Sequence, residues 1–357
     1  MAEKKKRHWL SHLSFGTISL TAAVLLVLGY FSVVVNPAKA WFFTLFGLLY
    51  PLVFLLTLVL FVWSLFRRSH LRGLLFLVLL PSLFFAGRYF QYKRPVPEKE
   101  ATLKVVSYNV GLFAQGPSSM DRKALADSLS TWLLKQNADL VCLQEVFLPL
   151  GSSIDSWFLH HFPGYKAHYY VLTGENGHFG NVILSRRSTT DKGKINFEKS
   201  TNMAIWADVR LDSGTVRVYN CHFESYNISL SGLVTKSGAM EDTERKMRRS
   251  IIERPRQVAE VIHGMDSAPV RSLAVGDFND TPVSYTYFRL LRGHKDSFVK
   301  AGQGFGATYR SLWPLLRIDY ILYPPELEAV SYEIPHVRYS DHYPVIATYY
   351  ETGRNPR

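Results

Sequence analysis

Ser272-Leu-Ala-Val-Gly-Asp-Phe-Asn-Asp280 reads as a short apolar strand that runs into a knot of polar groups. Residues 272–275 have the length and content of a buried strand. Asp277 and Asn279 then place a carboxylate and an amide just past its end. Taken alone, such a segment is a turn, because Asp and Asn are turn formers, and Thr281 or Ser284 would cap a following helix. Its weight comes from recurrence. Working outward, an apolar run again meets polar residues at Ser107-Tyr-Asn109-Val, Cys142-Leu-Gln-Glu145-Val and Tyr219-Asn-Cys-His222-Phe. The same happens at Arg317-Ile-Asp319-Tyr-Ile and Tyr339-Ser-Asp341-His342-Tyr. Strands that end together would gather these side chains at one rim.

The segments between them suit that arrangement. Apolar content and spacing predict strands over 103–108, 139–143, 166–172, 181–185, 203–211, 216–221, 272–275, 318–322, 328–334 and 345–349. Helices are predicted over 121–136, where Leu125, Leu129, Trp132 and Leu133 share a face, and over 241–263 and 284–292. Many strands with few intervening helices imply a layered α/β sandwich. A domain running from residue 101 to 357 is large enough to bury a core without disulfides. The two cysteines, Cys142 and Cys221, lie in apolar runs and are expected to be buried free thiols, unable to form a zinc site by themselves.

The gathered residue types suit phosphoester chemistry. A hard cation such as Mg²⁺ takes carboxylate and other oxygen ligands. Phosphate oxygens need donors, which Asn and His supply. A water nucleophile needs a base, and a carboxylate beside a His fixes its tautomer.

Gly276–Asn279 and Ser340–His342, supported by Leu143–Glu145, Ser107–Val110 and Ile318–Tyr320, resemble the motifs of the DNase-I-like endonuclease/exonuclease/phosphatase superfamily. The resemblance spans about residues 103–350 and includes the motif order. It implies a four-layer α/β sandwich with the active site at one end of two packed sheets. Glu145 would bind Mg²⁺, or Mn²⁺ in its place. Asn109 would lie in the metal or phosphate shell, and Asp341 would support the metal or the site network. His342 would be the general base or a phosphate-activating imidazole, oriented by Asp319. Asp277 would orient or activate the attacking water, while Asn279 and His222 hydrogen bond to the scissile phosphate. Gly180-Asn181-Val-Ile-Leu-Ser185 resembles the family's strand near the substrate groove. Asn181 is therefore expected to contact substrate, with Glu175 and Asn176 lining the cleft.

Residues 1–100 differ in kind. They hold 12 Lys/Arg against 3 Asp/Glu, whereas residues 101–357 hold 29 against 26. The basic excess flanks apolar runs over 13–35, 40–66 and 73–87, which predict an all-α membrane region of two to three transmembrane helices. A signal peptide would have a shorter apolar core and no further runs behind it. Lys4–Arg7 before the first run and Arg67, Arg68 and Arg72 after the second place those ends in the cytoplasm by the positive-inside rule. Three spans then put the C-terminal domain on the non-cytoplasmic side of a multi-pass protein, and two spans put it in the cytoplasm. Tyr89, Phe90, Tyr92, Pro95 and Pro97 read as an extended juxtamembrane linker.

The function expected is a membrane-anchored, metal-dependent phosphoesterase. Its partners would be the lipid bilayer and a phosphoester, a lipid headgroup first and nucleic acid second, with no obligate protein partner. An anchored nuclease would need a basic groove, and the near-neutral C-terminal domain supports it weakly. A non-catalytic membrane scaffold would have no need of the intact acidic, His and Asn set. The charged segment over 227–256 is expected to be a solvated helix face laced with ion pairs, or a wall facing anionic headgroups.

Overall fold

Val105 and Val106 are neighbours, both fully buried, and they lie in different cores. Successive strand residues point to opposite faces, so this strand is covered on both sides. In the computed structural model, residues 2–92, 101–151, 153–198, 200–226 and 239–351 are described. They begin with helices α1 (Ala2–Phe31), α2 (Phe42–Leu48), α3 (Tyr50–Phe66), α4 (Arg72–Leu79) and α5 (Ser82–Ala86), followed by strand β1 (Phe90–Tyr92). The second part runs β2 (Leu103–Asn109), α6 (Arg122–Lys135), β3 (Leu140–Pro149), α7 (Ile154–His161), β4 (Lys166–Thr173), β5 (Gly177–Ser185), β6 (Thr189–Asn196), β7 (Met203–Leu211) and β8 (Gly214–His222). It continues with α8 (Ala239–Ser267), β9 (Arg271–Asp277), α9 (Tyr285–Leu290), β10 (Lys295–Asp296), α10 (Ser297–Ala301), β11 (Gln303–Phe305), β12 (Asp319–Tyr323), β13 (Leu327–Glu333) and β14 (Val345–Glu351).

Two six-stranded sheets, ordered β13-β14-β2-β3-β5-β4 and β10-β12-β9-β8-β7-β6, pack face to face. Three separate cores define the four layers. Between the sheets lie Leu103, Val105, Leu140 and Ile183 from the first and Ile205, Val218, Leu273 and Val275 from the second. Outside the first sheet, Leu125, Leu129 and Leu133 of α6 and Phe158 of α7 cover Val106, Val141 and Leu143. Outside the second, Val258 and Val261 of α8 and Tyr287 and Leu290 of α9 cover Tyr219, Ala274 and Leu322. Asp121 caps α6 by accepting a hydrogen bond from the Ala124 N–H at 2.8 Å. Cys142 and Cys221 are buried and free, as expected. Burial raises both thiols above their ordinary range.

The helical region is arranged the other way round. Ser19, Ser32, Thr44, Thr57, Ser64 and Ser82 are buried, while Val24, Val59, Leu77 and Leu83 are exposed. One helix, over Ser14–Phe31, is long and apolar enough to cross a membrane or to be a signal sequence. The other two expected spans are modified. The 40–66 run is α2 and α3 bent by 62°, a pair that together could make one span. The 73–87 run is broken at Pro81 into helices of 8 and 5 residues, neither long enough to cross by itself.

Residues 89–92 are not a free linker. β1 pairs antiparallel with β11, with Gln91 opposite Gly304, and the Gly306 N–H donates to Tyr89 O at 2.8 Å. Pro95 and Pro97 lie outside the described residues. Further contacts fasten the helices to the sandwich. The Ser32 hydroxyl donates to Val283 O at 2.8 Å, and the Thr281 hydroxyl to Gly47 O at 3.3 Å. Phe85 packs edge-on to Phe288. A Cβ on Gly47 would meet both Ser32 Oγ and Val283 O at 2.4 Å, so glycine permits this close approach.

Candidate active site

Strand register explains why the polar residues meet. On the second sheet Asp277 lies opposite Asp319 of β12 on one side and His222 of β8 on the other. On the first sheet Asn109 lies beside Gln144, one residue before Glu145. Glu145 sits in a register shift of β3 against β5 and has φ +53°. Such an irregularity re-aims a side chain out of the strand alternation, and the left-handed backbone is a local cost kept at the site. Asn279 likewise has φ +51°. Gly276, at φ +129°, lets the chain pass Cys221 O, which a Cβ would meet at 2.1 Å.

Asp277 is the hub. Its Oδ2 accepts from Asn109 Nδ2 at 3.0 Å, and its Oδ1 accepts from the Asn279 N–H at 2.8 Å. Asn109 Nδ2 also donates to Glu145 Oε1 at 3.0 Å, which ties the two sheets' contributions together. His342, from the loop before β14, places Nδ1 2.9 Å from Asp319 Oδ2 and Nε2 3.8 Å from Asp277 Oδ2. With Nδ1–H donating to Asp319, Nε2 is the nitrogen left for the site. His222 Nε2 lies 3.3 Å from Glu145 Oε1 and 3.8 Å from Asp277 Oδ2, buried and without a hydrogen bond to either. Asn279 Nδ2 is turned away, donating to Phe223 O at 2.9 Å.

The electrostatics follow from burial and crowding. Burial pushes the Asp277 carboxyl up to about 6, against the pull of the His342 and His222 imidazoles. Burial alone would lower His342, but the Asp319 and Asp277 carboxylates outweigh it and raise the imidazole to about 10. Glu145, Asp277, Asp319 and Asp341 converge, and no Lys or Arg lines the cleft among the described residues. The site is short of positive charge, and its oxygen donors fit a hard divalent cation. The ligand atoms of Asp277, Asp319 and His342 all lie within 4.8 Å of one another, a spacing that would admit an ion. The short His342–Asp319 hydrogen bond already uses Nδ1, however. Glu145 is one-third exposed on the open side and better placed to receive an ion.

The cleft above this floor has a volume of about 360 Å³, within the range of small-molecule sites. Glu145, Asp277, Asn279, Asp341 and His342 line it, and Asn109, His222 and Asp319 stand just behind. Three expected cleft residues are not among its lining. Asn181 is 1% exposed and holds the sheets together instead, donating to Met203 O at 3.1 Å. It extends a buried network in which Gln144 Nε2 donates to Asn220 Oδ1 at 2.7 Å and Asn220 Nδ2 donates to Val182 O at 2.8 Å. Glu175 and Asn176 also lie elsewhere. Sequence reasoning missed Tyr309, whose ring meets His342 edge-on at 5.3 Å, and Tyr226, whose hydroxyl donates to Asp280 at 3.2 Å. It also missed the cleft wall formed by residues of α2 and α3. No local pattern marks these positions, because their chain neighbours carry none of the chemistry.

In the charged segment, Lys236 lies outside the described residues. Arg256 pairs with Glu253 at 3.1 Å on the surface, as a solvated face would. Arg254 is buried instead, 3.2 Å from Asp280 and over the Tyr226 ring.

A family model described as the Endonuclease/Exonuclease/phosphatase family matches residues 106–342, and one described as a domain of unknown function matches residues 11–89. No curated protein matches the chain in sequence. Several solved structures share the fold. An endonuclease/exonuclease/phosphatase from Beutenbergia cavernae is 17% identical, with 71% of this chain and 72% of that chain covered and a TM-score of 0.52. One from Bacteroides vulgatus is 17% identical, with 70% and 98% covered and a TM-score of 0.51. The human Nocturnin catalytic domain with bound sulfate anion is 18% identical, with 73% and 100% covered and a TM-score of 0.52. At these identities the likeness is one of fold.

Proposed function

This chain belongs to the endonuclease/exonuclease/phosphatase family, and from that premise we propose that it is a membrane-anchored, divalent-metal-dependent phosphoesterase acting on a lipid headgroup. The observation that carries the catalytic part is Asp277. It is a buried carboxylate in contact with Asn109 and Asn279, with two imidazoles within 3.8 Å, at the floor of an open cleft. Glu145, with Asn109 beside it and Asp341 in support, would hold Mg²⁺ or Mn²⁺. A bound divalent cation neutralises phosphate charge and stabilises the charge that develops in the transition state.

The residues divide the remaining work by their protonation. Asp277, raised toward neutrality, suits a base that takes a proton from water as the water oxygen attacks phosphorus. The P–O ester bond breaks on the opposite side, and the leaving alkoxide takes its proton from solvent water. His342, kept cationic by Asp319, suits a donor to a non-bridging phosphate oxygen. His222 Nε2, without a hydrogen-bond partner and 3.3 Å from Glu145 Oε1, suits a second donor. Asn279 holds Asp277 through its N–H.

Anchoring is supported by the exposed apolar and buried hydroxyl residues of the helices, the reverse of a water-facing bundle. The side is supported by geometry. The Arg67 guanidinium lies over the Phe15 ring, at the end of the helices away from the sandwich, while Ser32, Gly47 and Phe85 touch the sandwich. The chain therefore runs toward the sandwich in α1, away in α3 and back through α4 and α5. The basic ends lie opposite the catalytic domain, and under the positive-inside rule this arrangement favours the non-cytoplasmic face for that domain.

The test is hydrolysis by the purified full-length protein of phospholipids, single- and double-stranded DNA and inositol phosphates, with and without Mg²⁺. Metal-dependent lipid turnover, reduced about 10²–10⁴-fold in His342→Ala, is expected. Turnover of DNA alone would make the protein an anchored nuclease. Wild-type turnover in His342→Ala would refute the site.

A further inference from the structure

The cleft has two unlike halves, and the second is built partly by the helical region. Besides the carboxylates and His342, its lining includes Leu48, Leu49 and Leu52 from the α2–α3 corner and Leu312, Leu315 and Leu316 from the segment before β12. A phosphate or a sugar has no use for such a wall. Leu49 and Leu52 are 48% and 49% exposed, so water meets leucine beside the catalytic floor. The apolar surface does not stop at the cleft. From Leu52 it continues along α3 through Leu55, Leu56, Val59 and Trp63, all 45–57% exposed. The spacing i, i+3, i+4, i+7, i+11 keeps these residues on one side of the helix. The stripe starts in the cleft and runs toward the end of α3 that carries Arg67, away from the sandwich.

We infer that the α2–α3 corner is a substrate-binding wall. The substrate is an amphiphilic phosphoester whose phosphate lies among Glu145, Asp277 and His342 and whose alkyl or acyl chain lies against Leu49 and Leu52 and along α3. This rests on the phosphoesterase reading and adds what selects the substrate. The membrane helices then have a second role besides anchoring: they give a lipid chain a continuous apolar path from the bilayer to the catalytic floor. The close seating of α2 on the sandwich at Gly47, held by the Ser32 and Thr281 hydrogen bonds, keeps this wall at a fixed distance from Asp277.

The test compares two diesters with the same p-nitrophenyl leaving group, one a methyl and the other a dodecyl ester, using the full-length protein in nanodiscs. The reacting bond is identical, so the ratio of kcat/KM reads the chain alone. The dodecyl ester is expected to be favoured at least about tenfold. Leu49→Ser and Leu52→Ser should each lower that ratio several-fold. A second arm needs no turnover. A dodecyl phosphate carrying a diazirine at mid-chain should label the peptide containing Leu48–Leu52 or that containing Leu312–Leu316, and excess unlabelled dodecyl phosphate should abolish labelling. A ratio near one, a ratio unmoved by both variants, or labelling confined to other peptides would overturn the inference. If neither ester is hydrolysed yet the labelling falls on these leucines, the wall stands and the phosphoesterase reading fails.

Discussion

The helical region and the sandwich use opposite rules for the same residue types. In the sandwich, valine and leucine are buried in three cores and polar groups collect at one rim. In the helices, Phe66 is 81% exposed while Ser19, Thr57 and Ser64 are fully buried. Water drives the first arrangement. The second is the arrangement that lipid favours, where no hydrophobic force acts between helices and small residues and hydroxyls sit at helix contacts. The two regions follow opposite burial patterns, and the candidate active site lies where they meet.

The largest expected effect comes from making one substitution in both regions. Val218→Asp would bury an unpaired carboxylate between the sheets and, at a cost of several kcal/mol, should abolish cooperative unfolding and protease resistance. Val59→Asp, on the exposed face of α3, would cost almost nothing in water but about 2.5–3.5 kcal/mol at the centre of a bilayer. Loss of the protein from the membrane fraction is expected. Unchanged membrane recovery would break the comparison. Next in size is the join. Gly47→Val places atoms where Ser32 Oγ and Val283 O already lie, and overpacking of this kind costs about 1–3 kcal/mol. A lowered thermal midpoint with an intact sandwich core is expected.

Of similar or smaller size is the buried dyad. His342 is raised from its ordinary value to about 10, so the stability it contributes is complete below about 6.5 and is lost as pH rises through 10. Asp319→Asn should therefore destabilise the metal-free protein by about 2 kcal/mol at neutral pH. The deficit should vanish above pH 10. The His342 imidazole, followed by NMR, should titrate at lower pH in the variant, and an unshifted titration would contradict the dyad. The smallest effect belongs to the surface: Arg256→Ala, which breaks the exposed pair with Glu253, should change stability by no more than about 0.5 kcal/mol.

The same contrast explains what was legible in the sequence. Met203–Leu211 was predicted with the bounds it has, because buried apolar runs declare themselves. β6, Thr-Thr-Asp-Lys-Gly-Lys-Ile-Asn, was missed, since an exposed edge strand has no apolar signal. The floor residues Asn109, His222, Asp277, Asp319 and His342 were legible because each ends or follows an apolar run. Their pairing was not, since it depends on registers such as Asp277 opposite Asp319. Asn181 was misplaced because a short polar interruption looks alike whether it faces a groove or spans two sheets. The runs over 40–66 and 73–87 are not the unbroken helices that hydropathy alone implies, because the chain bends by 62° beside Leu49 and breaks at Pro81. The leucine wall was invisible for a related reason: it exists only once the helices dock.

The most direct test of the central claim is to strip the full-length protein with EDTA and restore Mg²⁺ while following hydrolysis of a single p-nitrophenyl phosphodiester, in the wild type and in Glu145→Ala. Turnover that disappears with the metal, returns on its addition and stays at least about 10²-fold lower in Glu145→Ala is the expected result. Turnover that persists in EDTA, or that is restored to the wild-type level in Glu145→Ala, would contradict it.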